Sequence, residues 1–137
     1  MSDWKPPPFG TPVWMAIPAT DVGRATDFYK AVFNLAIINK PGREDTSTEI
    51  RHFNLNPGLN ISGGIIKAPD STGALSAGRG GVVINWFVED VDASAELIKK
   101  AGGKVISEKE KESDFGLYRY FEDTEGNVGA VYMMVKK

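Results

Sequence analysis

The sequence predicts an α+β chain built from one βαβββ unit used twice, and three observations carry that expectation. Shifted by 69 positions, the chain matches itself without a gap at Val13/Val82, Asp21/Asp90, Val22/Val91, Lys30/Lys99 and Ile37/Ile106. In each half a strand-like run is followed by an Asp at a helix N-cap position, and then by apolar residues at helical spacing. Each half then continues in short strand-like runs separated by Gly, Asn or Pro. Two such modules are expected to form a cup-shaped mixed half-barrel pair with helices outside, so the residues at its mouth and floor decide the chemistry.

The elements follow in order. Residues 11–19 read as the first strand, and Asp21 caps a helix whose Val22, Ala25, Phe28, Tyr29 and Val32 share one face. Asn34 ends that helix, because Asn tolerates the left-handed conformation common at helix C-termini. A strand at 35–39, a polar turn at 40–46 and strands at 49–55 and 61–67, split by Asn56-Pro57-Gly58, complete module one. Residues 68–81, rich in Gly, Ser and Ala, read as a linker or flap.

Module two repeats the plan. It begins with a strand at 82–88, the N-cap Asp90 and a helix at 91–101 with Val91, Ala95 and Ile98 on one face. Gly102-Gly103 stops that helix, and a strand at 104–107 and a charged, solvated loop at 108–114 follow. Strands at 117–122 and 128–135 flank the hairpin 123–127, which Asp123 and Glu125 are expected to shape and where Gly126 supplies the positive φ a tight turn needs. The organisation is a Pro-rich arm at 1–10 and one domain at 11–137, with module one at 11–67, the linker at 68–81 and module two at 82–135.

At 137 residues the chain is one domain's worth and needs no staples. It has no Cys, which removes disulfides, thiolate nucleophiles and cysteine-type zinc sites and fits a cytoplasmic location. A net charge of -2 with scattered Lys and Arg leaves no basic stripe for nucleic acid. No segment approaches the roughly 20 apolar residues of a membrane span.

Several motifs together resemble the vicinal oxygen chelate superfamily, which includes glyoxalase I, bleomycin-resistance proteins and extradiol dioxygenases. They are Pro18-Ala-Thr-Asp-Val22, Arg24-Ala-Thr-Asp-Phe-Tyr29, Val88-Glu-Asp-Val-Asp-Ala93, Ala101-Gly-Gly-Lys-Val105 and Glu122-Asp-Thr-Glu-Gly-Asn127. The resemblance implies ligands held inside the cup and a homodimer, in some relatives with exchanged modules. It also implies metal ligands, one from the first and one from the last strand of each module. Carried over, those stations are Trp14, Val83, Ala130 and either Ile61 or Gly63, none of which has a donor side chain. No metal and no cofactor are therefore expected.

Strand alternation from those stations assigns Trp14, Ala16 and Pro18, Val83, Asn85 and Phe87, and Ala130, Tyr132 and Met134 to the cup. Met15, Ile17, Ile84, Trp86, Val88, Val131 and Met133 turn toward the helices. The ligand-binding candidates are Trp14, Ala16, Asn85, Phe87, Ala130, Tyr132 and Met134, a lining that suits a flat organic molecule oriented by Asn85. His52, Tyr118 and Tyr120 are the candidates for acid–base work. The facing of their strands stays open: either Arg51, Phe53 and Leu55 or Ile50, His52 and Asn54 line the cup, and the same choice separates Tyr118 and Tyr120 from Arg119 and Phe121.

The expected function is metal-free binding of a small aromatic or apolar molecule, with isomerisation, cyclisation or elimination as the chemistry such a site could add. Sequestration without chemistry is the alternative. A metal-dependent lyase or dioxygenase lacks its ligands.

Overall fold

The structure, a computed structural model, describes residues 8–9, 12, 14–38, 49–55, 62–68, 77–78 and 82–135. The arm at 1–10 and the linker at 68–81 lie mostly outside the described residues.

Module one runs β1 (Trp14–Ala19), α1 (Val22–Phe33), β2 (Ala36–Ile37), β3 (Ile50–Asn54) and β4 (Ser62–Lys67). The Asp21 side chain accepts the Arg24 N–H at the start of α1, and Asn34, at φ 53, turns the chain out of it. Module two runs β5 (Ile84–Phe87), α2 (Val91–Lys100), β6 (Lys104–Val105), β7 (Glu110–Glu112), β8 (Gly116–Glu122) and β9 (Val128–Met134). Asp90 caps α2 through the N–H groups of Asp92 and Ala93, and Gly102, at φ 97, carries the chain away from it.

The charged run at 108–114, expected as a loop, contains β7. It pairs antiparallel with β8, which sets Glu110 opposite Tyr118 and Glu112 opposite Gly116. An all-charged strand survives there because it sits at a sheet edge, where exposed side chains stay solvated.

The first sheet has the order β1-β4-β3-β2 and the second β5-β9-β8-β6, with β7 also on β8. β1 is parallel to β4 and β5 to β9, while the other pairs are antiparallel. The two sheets are not closed on each other. Their helix-side faces share one core containing Ile17, Phe53 and Ile65 of the first sheet and Phe121 and Val131 of the second. α1 rests on β3 and β4, yet its Phe33 stacks on Trp86 at 4.3 Å and its Phe28 meets Phe121 at 6.1 Å. It therefore lies between the sheets, and the opposite faces of both turn to solvent.

A polar clasp crosses the same junction. The side chain of Glu125, on the β8–β9 hairpin, is fully buried and accepts five hydrogen bonds from the start of α1. Its Oε1 takes the N–H groups of Thr20 (2.8 Å) and Asp21 (2.9 Å), the Thr20 hydroxyl (2.8 Å) and Arg24 Nη2 (3.0 Å), while Oε2 takes Arg24 Nε at 2.7 Å. Beside it, Asp123 Oδ2 accepts the Tyr29 hydroxyl at 2.7 Å, and Asn127 Nδ2 donates to the Pro18 carbonyl at 2.7 Å. Asp123 shapes its hairpin as expected, by accepting the N–H groups of Glu125 and Asn127. Glu125, expected to do the same, reaches across to the other module.

Burial alone would raise the Glu125 pKa, but the hydrogen bonds from Arg24, Asp21, Thr20 and Thr124 outweigh it and hold the carboxyl at about 2. The folded value lies below the ordinary 4.5, so the clasp stabilises fully above that pH and is lost as pH falls toward 2. Glu125→Gln is expected to cost about 2–3 kcal/mol at neutral pH, the scale of hydrogen bonds to a charged group. Urea unfolding measured as a function of pH should also show that the variant's stability falls less steeply than wild type below the ordinary carboxylate pKa.

Candidate functional site

The first wall of the cup is the solvent-facing side of the β1-β4-β3-β2 sheet. Phe53 is buried in the core, so its strand neighbours Ile50, His52 and Asn54 take the cup face, and this settles the open alternative. His52 stands opposite Gly64. Because Gly64 has no side chain, Trp14 leans over it and meets the imidazole edge-on, with ring centroids 5.9 Å apart. Trp14 is 47% exposed.

The second wall is better furnished. Strand register sets Phe87, Tyr132 and Tyr118 in one row across β5, β9 and β8, and Asn85, Ala130 and Tyr120 in the next. Tyr118 and Tyr120 thus face the cup, while Phe121 is core and Arg119 turns toward α2, where it pairs with Asp92 at 3.7 Å. Tyr118 and Tyr120 meet edge-on at 5.6 Å. Ala130 is fully buried beneath its larger neighbours, while Phe87 (72%) and Met134 (53%) stand exposed.

Across Gly116, the Tyr132 hydroxyl donates to Glu112 Oε1 at 2.8 Å, which raises its pKa above the usual phenol value. That hydroxyl is committed. Those of Tyr118 and Tyr120 have no hydrogen-bond partner among the described residues and are free to meet a ligand. The contribution of Glu112 was not foreseen, since its run reads as a solvated loop; only the alternation of charges at 110–112 could have signalled an edge strand.

The structure brings Asn85, Phe87, Ala130, Tyr132, Met134, Tyr118 and Tyr120 onto one wall, and Trp14, Ala16 and His52 onto the other. With α1 between the sheets, one chain does not bring the two walls face to face.

Register also tests the metal stations. Ala16 pairs with Gly64 as Asn85 pairs with Ala130, so the module-one counterpart of Ala130 is Gly64. Gly63, one of the two expected positions, points instead into the core, where a Cβ would run into the Met15 carbonyl and the Phe53 ring. Ile61 lies outside the described residues. The stations are then Trp14, Gly64, Val83 and Ala130, without a nitrogen or oxygen donor suited to a cation. Among the described residues no group of three or more His, Cys, Asp or Glu side chains gathers anywhere. These residues do not fit a divalent ion, and no step below uses one.

The sequence model of the Glyoxalase/Bleomycin resistance protein/Dioxygenase superfamily matches residues 11–130. The chain belongs to that superfamily. Similar solved structures include a glyoxalase-related enzyme from Fulvimarina pelagi, at 17% identity and TM-score 0.68 over 91% of this chain and 88% of that one. The fosfomycin resistance protein FosX from Listeria monocytogenes superposes at 17% identity and TM-score 0.66, covering 91% of each chain, and a mutant of it was solved with Mn(II) and 1S,2S-dihydroxypropylphosphonic acid. TnmS3, an antibiotic binding protein from Streptomyces sp. CB03234, matches at 20% identity and TM-score 0.64 over 92% of this chain and 97% of that one. No curated protein matches the sequence at a significant level. At these identities the superfamily neighbours establish the shared fold. No helix of the described residues is long and apolar enough to cross a membrane.

The assignment of faces has a direct check. Gly63→Ala is expected to cost about 2–3 kcal/mol by overpacking the core. Gly64→Ala, which meets the Ile50 side chain at 3.0 Å and Trp14 at 3.2 Å on the open wall, should cost clearly less in urea unfolding.

Proposed function

We propose that this superfamily member binds a planar, largely apolar organic molecule in a metal-free cup, as a homodimer in which each cup takes one wall from each copy. The observation that carries the reading is the cross-strand row Phe87–Tyr132–Tyr118, an aromatic surface with Asn85 and two free tyrosine hydroxyls at its border. Ala16 and Met134 complete the apolar lining, and Trp14 stacks from the opposing wall. What supports a second copy is that α1 lies between the two sheets of one chain, and that large apolar side chains are exposed on both open faces. The antibiotic-binding TnmS3 and the resistance protein FosX support a small-molecule ligand on this fold. No nucleic acid, membrane or cofactor enters the proposal, and the absence of Cys suits a cytoplasmic setting.

Catalysis is the second reading, because His52, Tyr118 and Tyr120 all face the cup. In a two-copy cup the imidazole would move a proton at one end of the ligand, while a phenol donates to a carbonyl at the other, as an isomerisation, cyclisation or elimination requires.

Titration with a panel of fused-ring aromatics, followed by fluorescence, should show saturable binding that survives exhaustive chelation. Trp14→Ala and Phe87→Ala should each weaken it about tenfold or more, the loss of one buried aromatic contact. His52→Ala should leave binding intact under both readings and abolish turnover only under the second.

Refolding Trp14→Ala copies together with Phe87→Ala copies tests the shared cup. In a two-copy cup about a quarter of the sites regain both residues, whereas a cup made within one chain regains none.

A further inference from the structure

The cleft between the two modules runs along β5 and is lined by residues from both faces of that strand, Ile84 and Trp86 as well as Asn85 and Phe87. It encloses about 660 Å³, within the range of small-molecule sites, and sits at a junction of structural units, where such sites concentrate. Its floor includes the stacked Phe33–Trp86 pair, and its border carries three asparagines, Asn34, Asn54 and Asn85, together with Glu89. None of the three side-chain amides hydrogen-bonds to another described residue, so their donors and acceptors remain available to a ligand. Lys and Arg are absent from the described lining, and Glu89 is its single charge.

The geometry points to a second ligand site in this cleft, for a neutral fused-ring heteroaromatic molecule with an imide or amide edge. The ring system matches the apolar floor. An edge alternating C=O and N–H is complementary to carboxamides, each of which both donates and accepts. Glu89 can accept a further ring N–H, but it opposes any anionic substituent, and no cation in the described lining offsets it. The site is distinct from the cup in its floor, since Asn34 and the Phe33–Trp86 pair have no part in the cup walls; Asn54, Asn85 and Phe87 border both.

Riboflavin is a suitable probe, being neutral, three-ringed, imide-bearing and quenched on aromatic contact; flavin mononucleotide adds only a phosphate. Riboflavin emission titrated with the intact protein should quench saturably at one flavin per chain, and the phosphorylated form should bind more weakly. Asn54→Ala and Asn34→Gly, the second of which keeps a residue that accepts the left-handed backbone, should each weaken binding about three- to tenfold, one neutral hydrogen bond. Trp14→Ala, which disables the cup, should leave riboflavin binding unchanged. Absence of quenching, equal binding of the phosphorylated form, or loss on Trp14→Ala with Asn54→Ala unaffected would overturn the assignment.

Discussion

The buried carboxylate of Glu125 organises this molecule. Module two delivers it to the first turn of a helix in module one, where it meets backbone N–H groups, a hydroxyl and a guanidinium at once. A charge can be buried there because all its lone pairs are used and the helix N-terminus favours an anion. With α1 pinned at that end, Tyr29 reaches Asp123 and Phe33 comes to rest on Trp86, so the helix lies between the sheets. The outward turn of both cup faces follows from that placement.

The walls then differ in kind. Wall one has one aromatic–imidazole contact over a glycine, and wall two has two cross-strand rows rich in tyrosine. The repeat duplicated a scaffold, but the side chains on its open faces diverged. Backbone pairing leaves those faces unconstrained, whereas the helix-side residues are held by a close-packed shared core.

Much of this was legible from residue order. The caps Asp21 and Asp90, the stop at Asn34 and the turn at Gly126 are local chemistry, and alternation placed Ile17, Trp86 and Val131 toward the helices correctly. The facing of His52 was not legible, because Ile50-Arg-His-Phe-Asn54 alternates no more clearly one way than the other; the burial of Phe53 decides it. Nor was the role of Glu125, whose partners lie about a hundred residues away, since hairpin chemistry explains an acid in Asp123-Thr-Glu-Gly equally well. The station at Gly64 rather than Gly63 turns on loop lengths between β1 and β4, which self-alignment alone does not set.

The junction also bears on how such a chain can evolve. Although its halves are copies in outline, Arg24 and Tyr29 sit in one and their partners, the buried Glu125 and Asp123, in the other. Recombination that exchanged a single half with a distant relative would strand a desolvated carboxylate or phenol. Exchange of one half carries that cost, whereas substitutions confined to the open walls leave the junction intact.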